Sequence, residues 1–163
     1  MRRTAPPAPE LIEFTAEDRR AVLTVMRRQL RERDGWVNLQ PAVDPDEAPE
    51  KPGLVRLFSA SGPVLPLASW VPGERRRNGS TEPVSLGLQH AGGPKALLRL
   101  REHGHPPVEG WRVLADSPRR GFVLQVPDDE DPDVALVWLM KAATMLAPMN
   151  LPPEWRAGVI HRR

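Results

Sequence analysis

Residues 111–147, WRVLADSPRRGFVLQVPDDEDPDVALVWLMKAATMLA, decide the fold. Trp111–Asp116 and Gly121–Val126 are short strand-like runs on either side of Ser117-Pro118-Arg119-Arg120, the pattern of an antiparallel hairpin. Asp131-Pro132 then opens a helix, with Asp131 as N-cap and acidic residues 128–133 facing the positive end of the helix dipole. The helix stops before Pro148. A hairpin that feeds directly into a helix predicts an antiparallel sheet with that helix laid on one face.

Upstream, Val84–His90 reads as a strand that passes through Ala91-Gly92-Gly93 into a helix beginning at Pro94. This helix ends near His103, with Gly104 after it as the C′ residue. An earlier helix starts at Thr15-Ala16-Glu17-Asp18, takes Thr15 as its N-cap, and stops at Asp34-Gly35. Ala16, Val22, Leu23, Met26 and Leu30 share one of its faces. Strands are expected at Trp36–Gln40, Leu54–Ala60 and Val64–Val71, with Pro66 asking for an edge or a bulge, and at Trp155–His161. The order is α-β-β-β-β-α-β-β-α-(β). It predicts a single α+β domain over 14–163, an antiparallel sheet with helices mainly on one face, preceded by a flexible arm at 1–13. Segments 41–53 and 72–83 are expected as mobile loops. Over residues 15–147 the element order resembles that of the small chaperones of type III secretion, which implies a dimeric binding protein.

Size and composition bound the rest. A chain of 163 residues fits one domain that buries roughly 70% of its unfolded surface. The formal charge is only +2, so no global field marks a general nucleic-acid binder. The absence of cysteine excludes disulfides, thiolate zinc sites and cysteine nucleophiles. Val134–Ala147 is broken by Lys141 and falls short of the ~20 residues that span a bilayer. With a polar beginning at Met1-Arg2-Arg3, a soluble cytoplasmic protein is expected.

Four groups of residues are candidates for a site. His90, Gly92, Gly93 and Lys95 join a glycine turn, a helix start and a cation, and together suggest a weak anion cradle. Alanine at 96 in place of a hydroxyl residue removes the P-loop reading. Arg75, Arg76 and Arg77, with Arg119 and Arg120 and the arginine flank of the first helix, suggest phosphate-backbone contacts if the fold brings them together. His103-Gly104-His105 has metal-like spacing but too few partners, and His103 also suits a helix C-terminus. In the last helix Leu136, Leu139, Ala143 and Leu146 form one apolar face. Val134, Val137, Trp138 and Met145 lie off it and ask for a cover: the first helix, the Pro-rich tail, or a second subunit.

No nucleophile elbow, zinc-binding helix or dinucleotide fingerprint is present, and no cofactor is implied. The expectation is a non-catalytic protein-interaction domain, adaptor-like or chaperone-like, acting as a homodimer or with a protein partner. A nucleic-acid or phosphate-binding module is the alternative, and an enzyme acting on a small anion the third reading.

Overall fold

The computed structural model describes residues 8–47 and 62–162. In chain order these form β1 (Glu10–Thr15), α1 (Arg20–Glu32), β2 (Trp36–Pro41), a 3-10 turn (Pro45–Glu47), β3 (Leu67–Val71) and β4 (Val84–Gln89). There follow α2 (Ala96–Glu102), β5 (Arg112–Ser117), β6 (Gly121–Val126), α3 (Pro132–Leu146) and β7 (Glu154–Ile160). The seven described strands make one sheet, β1-β7-β2-β3-β4-β6-β5, with every neighbouring pair antiparallel. The α+β architecture expected from the sequence is the one observed.

Alternation along the strands sorts the side chains. Phe14, Trp155, Val37, Leu39, Trp70, Leu86, Leu88, Phe122 and Leu124 point to one face and are buried there with the inner sides of α1, α2 and α3. Asn38, Ser69, Gly87 and Gln125 lie on the opposite face, which no described helix covers. An antiparallel sheet tolerates that asymmetry because one face is free to meet water.

Three local expectations need correction. Residues 10–13 are not part of an arm: they belong to β1, an edge strand held by β7 through pairs from Glu10↔Val159 to Thr15↔Glu154. That pairing also keeps Thr15 extended, so α1 cannot begin there. The Thr15 hydroxyl instead accepts from Asp18 N–H (3.1 Å) and closes a turn, and the helix starts at Arg20. Finally, β3 is central, between β2 and β4, and begins one residue after Pro66, so the missing proline N–H falls outside the ladder. The strand expected at Leu54–Ala60 lies outside the described residues. The 72–83 connection carries a bridge, Arg75↔Thr81, around Asn78-Gly79.

The end of α3 stands as read. Asp131 accepts from Asp133 N–H (2.9 Å), Pro132 occupies the first turn, and Leu136, Leu139, Ala143 and Leu146 are buried. No described helix is long and apolar enough to cross a membrane.

Candidate functional site

The sheet register builds a groove along α3. Because Thr15 pairs with Glu154, the residues just after β1 and just before β7 lie side by side. Ala16 and Arg19 from the first segment and Leu151, Pro152 and Pro153 from the second form the wall facing α3. The helix contributes Val137, Lys141 and Thr144, with Met140 and Trp155 as the floor. The groove encloses about 350 Å³, at the small end of ligand pockets.

Ion pairs hold this wall in place. The Arg19 guanidinium donates twice to Asp133, from Nε at 2.7 Å and from the terminal nitrogen at 3.2 Å, which ties the β1–α1 turn to the start of α3. Asp133 holds the Arg19 pKa above its ordinary value. Arg27 reaches Asp131 at 3.1 Å and Arg33 reaches Asp128 at 2.9 Å. Asp131 is held below the usual carboxylate range, first by the Asp133 N–H and then by Arg27. Asp128 is held low first by the Thr81 hydroxyl and then by Arg33. Asp128, Asp131 and Asp133 are thus each paired with an arginine in or beside α1. Each pair is partly exposed and contributes at most about 1 kcal/mol, so the ladder sets geometry more than stability.

Of the four residues of α3 expected to need a cover, three remain in the open. Val134, Val137 and Met145 are 40%, 43% and 38% exposed, and with Lys141 they form one stripe. Trp138 is 4% exposed and belongs to the core. Its indole N–H donates to Pro106 O (2.8 Å), its ring stacks on His105 at 5.0 Å, and Trp111 and Phe122 meet it edge-on. A helical wheel alone misassigned it because the covering residues, 105–111, lie in a loop that periodicity does not read.

The other basic groups do not gather into one surface. Arg75–Arg77 lie beyond the Val84 end of β4, whereas Arg119 and Arg120 lie at its other end, beside Leu88 and Phe122. A six-residue strand separates them by roughly 17 Å. Arg76 is paired with Glu82, and Arg19, Arg20, Arg27 and Arg33 are paired with aspartates.

The turn at 90–95 is held partly by the protein's own groups, while His90 Nε2 and Arg99 Nε are buried without a hydrogen-bond partner. Leu97 N–H, at the start of α2, donates to the Asp116 carboxylate of β5 (3.1 Å). Lys95 is exposed, with φ 57°, and precedes the helix. His90 is fully buried, its Nδ1 accepting from Gly92 N–H (3.0 Å), while Arg99 donates to Gly92 O. His103 and His105 diverge, one at Arg99 O and the other at Trp138 O. No group of three histidine or acidic residues suited to a metal lies among the described residues.

Burial, and secondarily Arg99, pushes the His90 pKa down, with Asp116 opposing. Below the ordinary histidine pKa of about 6.5, the unfolded chain therefore binds a proton that the native state refuses. Stability is expected to fall as pH drops below about 6.5, with a slope of up to about 1.4 kcal/mol per pH unit from this group. His90→Asn keeps an acceptor for Gly92 N–H and should flatten that part of the curve in urea titrations; an unchanged slope would assign the loss elsewhere.

The chain matches no protein-family model, no curated protein and no solved structure.

Proposed function

We propose that the chain is a non-catalytic protein-interaction domain and that its contact surface is the α3 groove. The exposed apolar stripe of Val134, Val137 and Met145 beside that groove supports this reading. A helix resting on a sheet ordinarily turns a polar side to water, and this one exposes valine and methionine beside a formed cavity.

Val137→Asp separates a contact role from a packing role. At 43% exposure the new carboxylate meets water, so stability should change by less than about 1 kcal/mol. A contact through α3 should be lost in the same variant. Light scattering after size exclusion reads self-association. A photo-crosslinking residue at Val137, with one at Asn38 on the open sheet face as control, reads other partners. A monomer that yields no Val137-dependent adduct sinks the reading. Unfolding by Val137→Asp would place Val137 in the core instead.

A further inference from the structure

We infer that the α3 groove receives a segment of another protein that presents a large apolar side chain beside a carboxylate, with Lys141 pairing that carboxylate. The inference rests on the protein-interaction reading above and names the chemistry of the partner.

Charge complementarity points to it. Between Asp133 and Ala147, Lys141 is the single charged residue, and it has no ion pair among the described residues. The other charges at the groove are matched: Arg19 is bound twice by Asp133 and also feels Glu17. Lys141 therefore stands as an unmatched ammonium at the mouth of an apolar cavity, between Val137 and Thr144. Any occupant that seals the cavity removes water from that ammonium. Desolvating a charge is costly unless the occupant brings a counter-charge.

The same stripe on a second copy of the chain does not supply one. A twofold contact across α3 pairs the same stripe with itself. The stripe's midpoint falls between Val137 and Lys141, so both ammonium groups come within one helical turn of the axis. The stripe carries no carboxylate, and Asp131 and Asp133 at the head of the helix are already paired. Self-association through this face juxtaposes like charges. A partner with an acid next to its apolar anchor satisfies both requirements of the groove.

Matched acetylated dipeptide amides test this by amide chemical-shift titration. Acetyl-Asp-Phe-amide is expected to shift the amides of residues 137–144, Leu151, Glu154 and Trp155. Acetyl-Lys-Phe-amide should bind about three- to fivefold more weakly, the scale of a partly exposed ion pair. Acetyl-Asp-Gly-amide should not shift them. Lys141→Gln should erase the preference for the acidic peptide and Lys141→Arg should keep it. Equal binding of the Asp-Phe and Lys-Phe peptides overturns the inference. Shifts produced by sodium decanoate and by none of the dipeptides overturn it in favour of a free amphiphile. Dipeptide silence alongside a Val137-dependent protein complex overturns it too, and leaves the protein-interaction reading intact.

Discussion

Trp138→Ala is expected to destabilise the domain by about 3–5 kcal/mol, the range for emptying a buried tryptophan site. The site is crowded on several sides: His105 stacks at 5.0 Å, and Trp111 and Phe122 approach at 5.5 and 5.7 Å. Truncation therefore opens a cavity whose lining comes from rigid rings, which collapse poorly. Domains of this size are stable by roughly 5–15 kcal/mol, so the variant should sit near the edge of folding at room temperature. Trp138→Phe keeps most of the ring area and loses the bond to Pro106 O. Pro106 is exposed, so water can replace the donor and the cost should be about 1–2 kcal/mol. Urea titrations of the two variants check the order and the gap. A Trp138→Ala protein as stable as the parent would return this residue to the surface role that its position on the helical wheel suggested.

Val137 and Trp138 are neighbours in the chain with opposite fates, and they show where sequence patterning stops. Periodicity correctly identified the buried row of Leu136, Leu139, Ala143 and Leu146, because that row faces a sheet and obeys the helical repeat. It does not say what lies beyond the helix flanks. There the cover is the 105–111 loop on one side and the 151–153 tail on the other, both brought in by long-range pairing. The same limit explains β1. In Glu10–Thr15, Ile12 and Phe14 turn inward while Leu11 turns outward, so the alternation is blurred, and only the β7 ladder fixes the segment as a strand.

The caps at Asp131 and Gly104 were legible because they are local, whereas Thr15 was not, because its pairing with Glu154 decides its conformation. Asp131-Pro132 and Gly104 act within a turn of their own positions. The groove was not, since Ala16 and Pro152 are far apart in the chain and meet only because Thr15 pairs with Glu154. Whether the arginines gather was equally hidden: Arg75–Arg77 and Arg119–Arg120 lie at opposite ends of β4. The sequence counts cations but does not show their partners: Arg20 and Arg27 of the helix flank pair with Asp18 and Asp131, and Arg76 pairs with Glu82.

Gly35→Ala should be the most damaging single-methyl change at the junction of α1 with the sheet. Gly35 has φ 67°, where a Cβ costs about 1–2 kcal/mol through its own backbone. A Cβ there would also stand 1.8 Å from Ile160 O and 2.9 Å from the Gln29 side-chain nitrogen. These are not loose neighbours. Gln29 is fully buried and donates to the same Ile160 carbonyl at 3.0 Å, and Ile160 pairs with Trp36 at the end of the β2–β7 ladder. Making room means parting backbone from backbone and stripping a buried amide of its acceptor, so a total of at least about 3 kcal/mol is expected. Gly79→Ala is the matched control. Gly79 shares the left-handed backbone, with φ 82°, but has no atom within 4 Å of a built Cβ, so it should lose only the conformational part. Hydrogen exchange should show the difference in place, with faster exchange at the Ile160 end of β7 in Gly35→Ala and none in Gly79→Ala. Equal losses in the two variants would mean that the β7 end yields without cost, and that Gln29 does not pin α1 to the sheet.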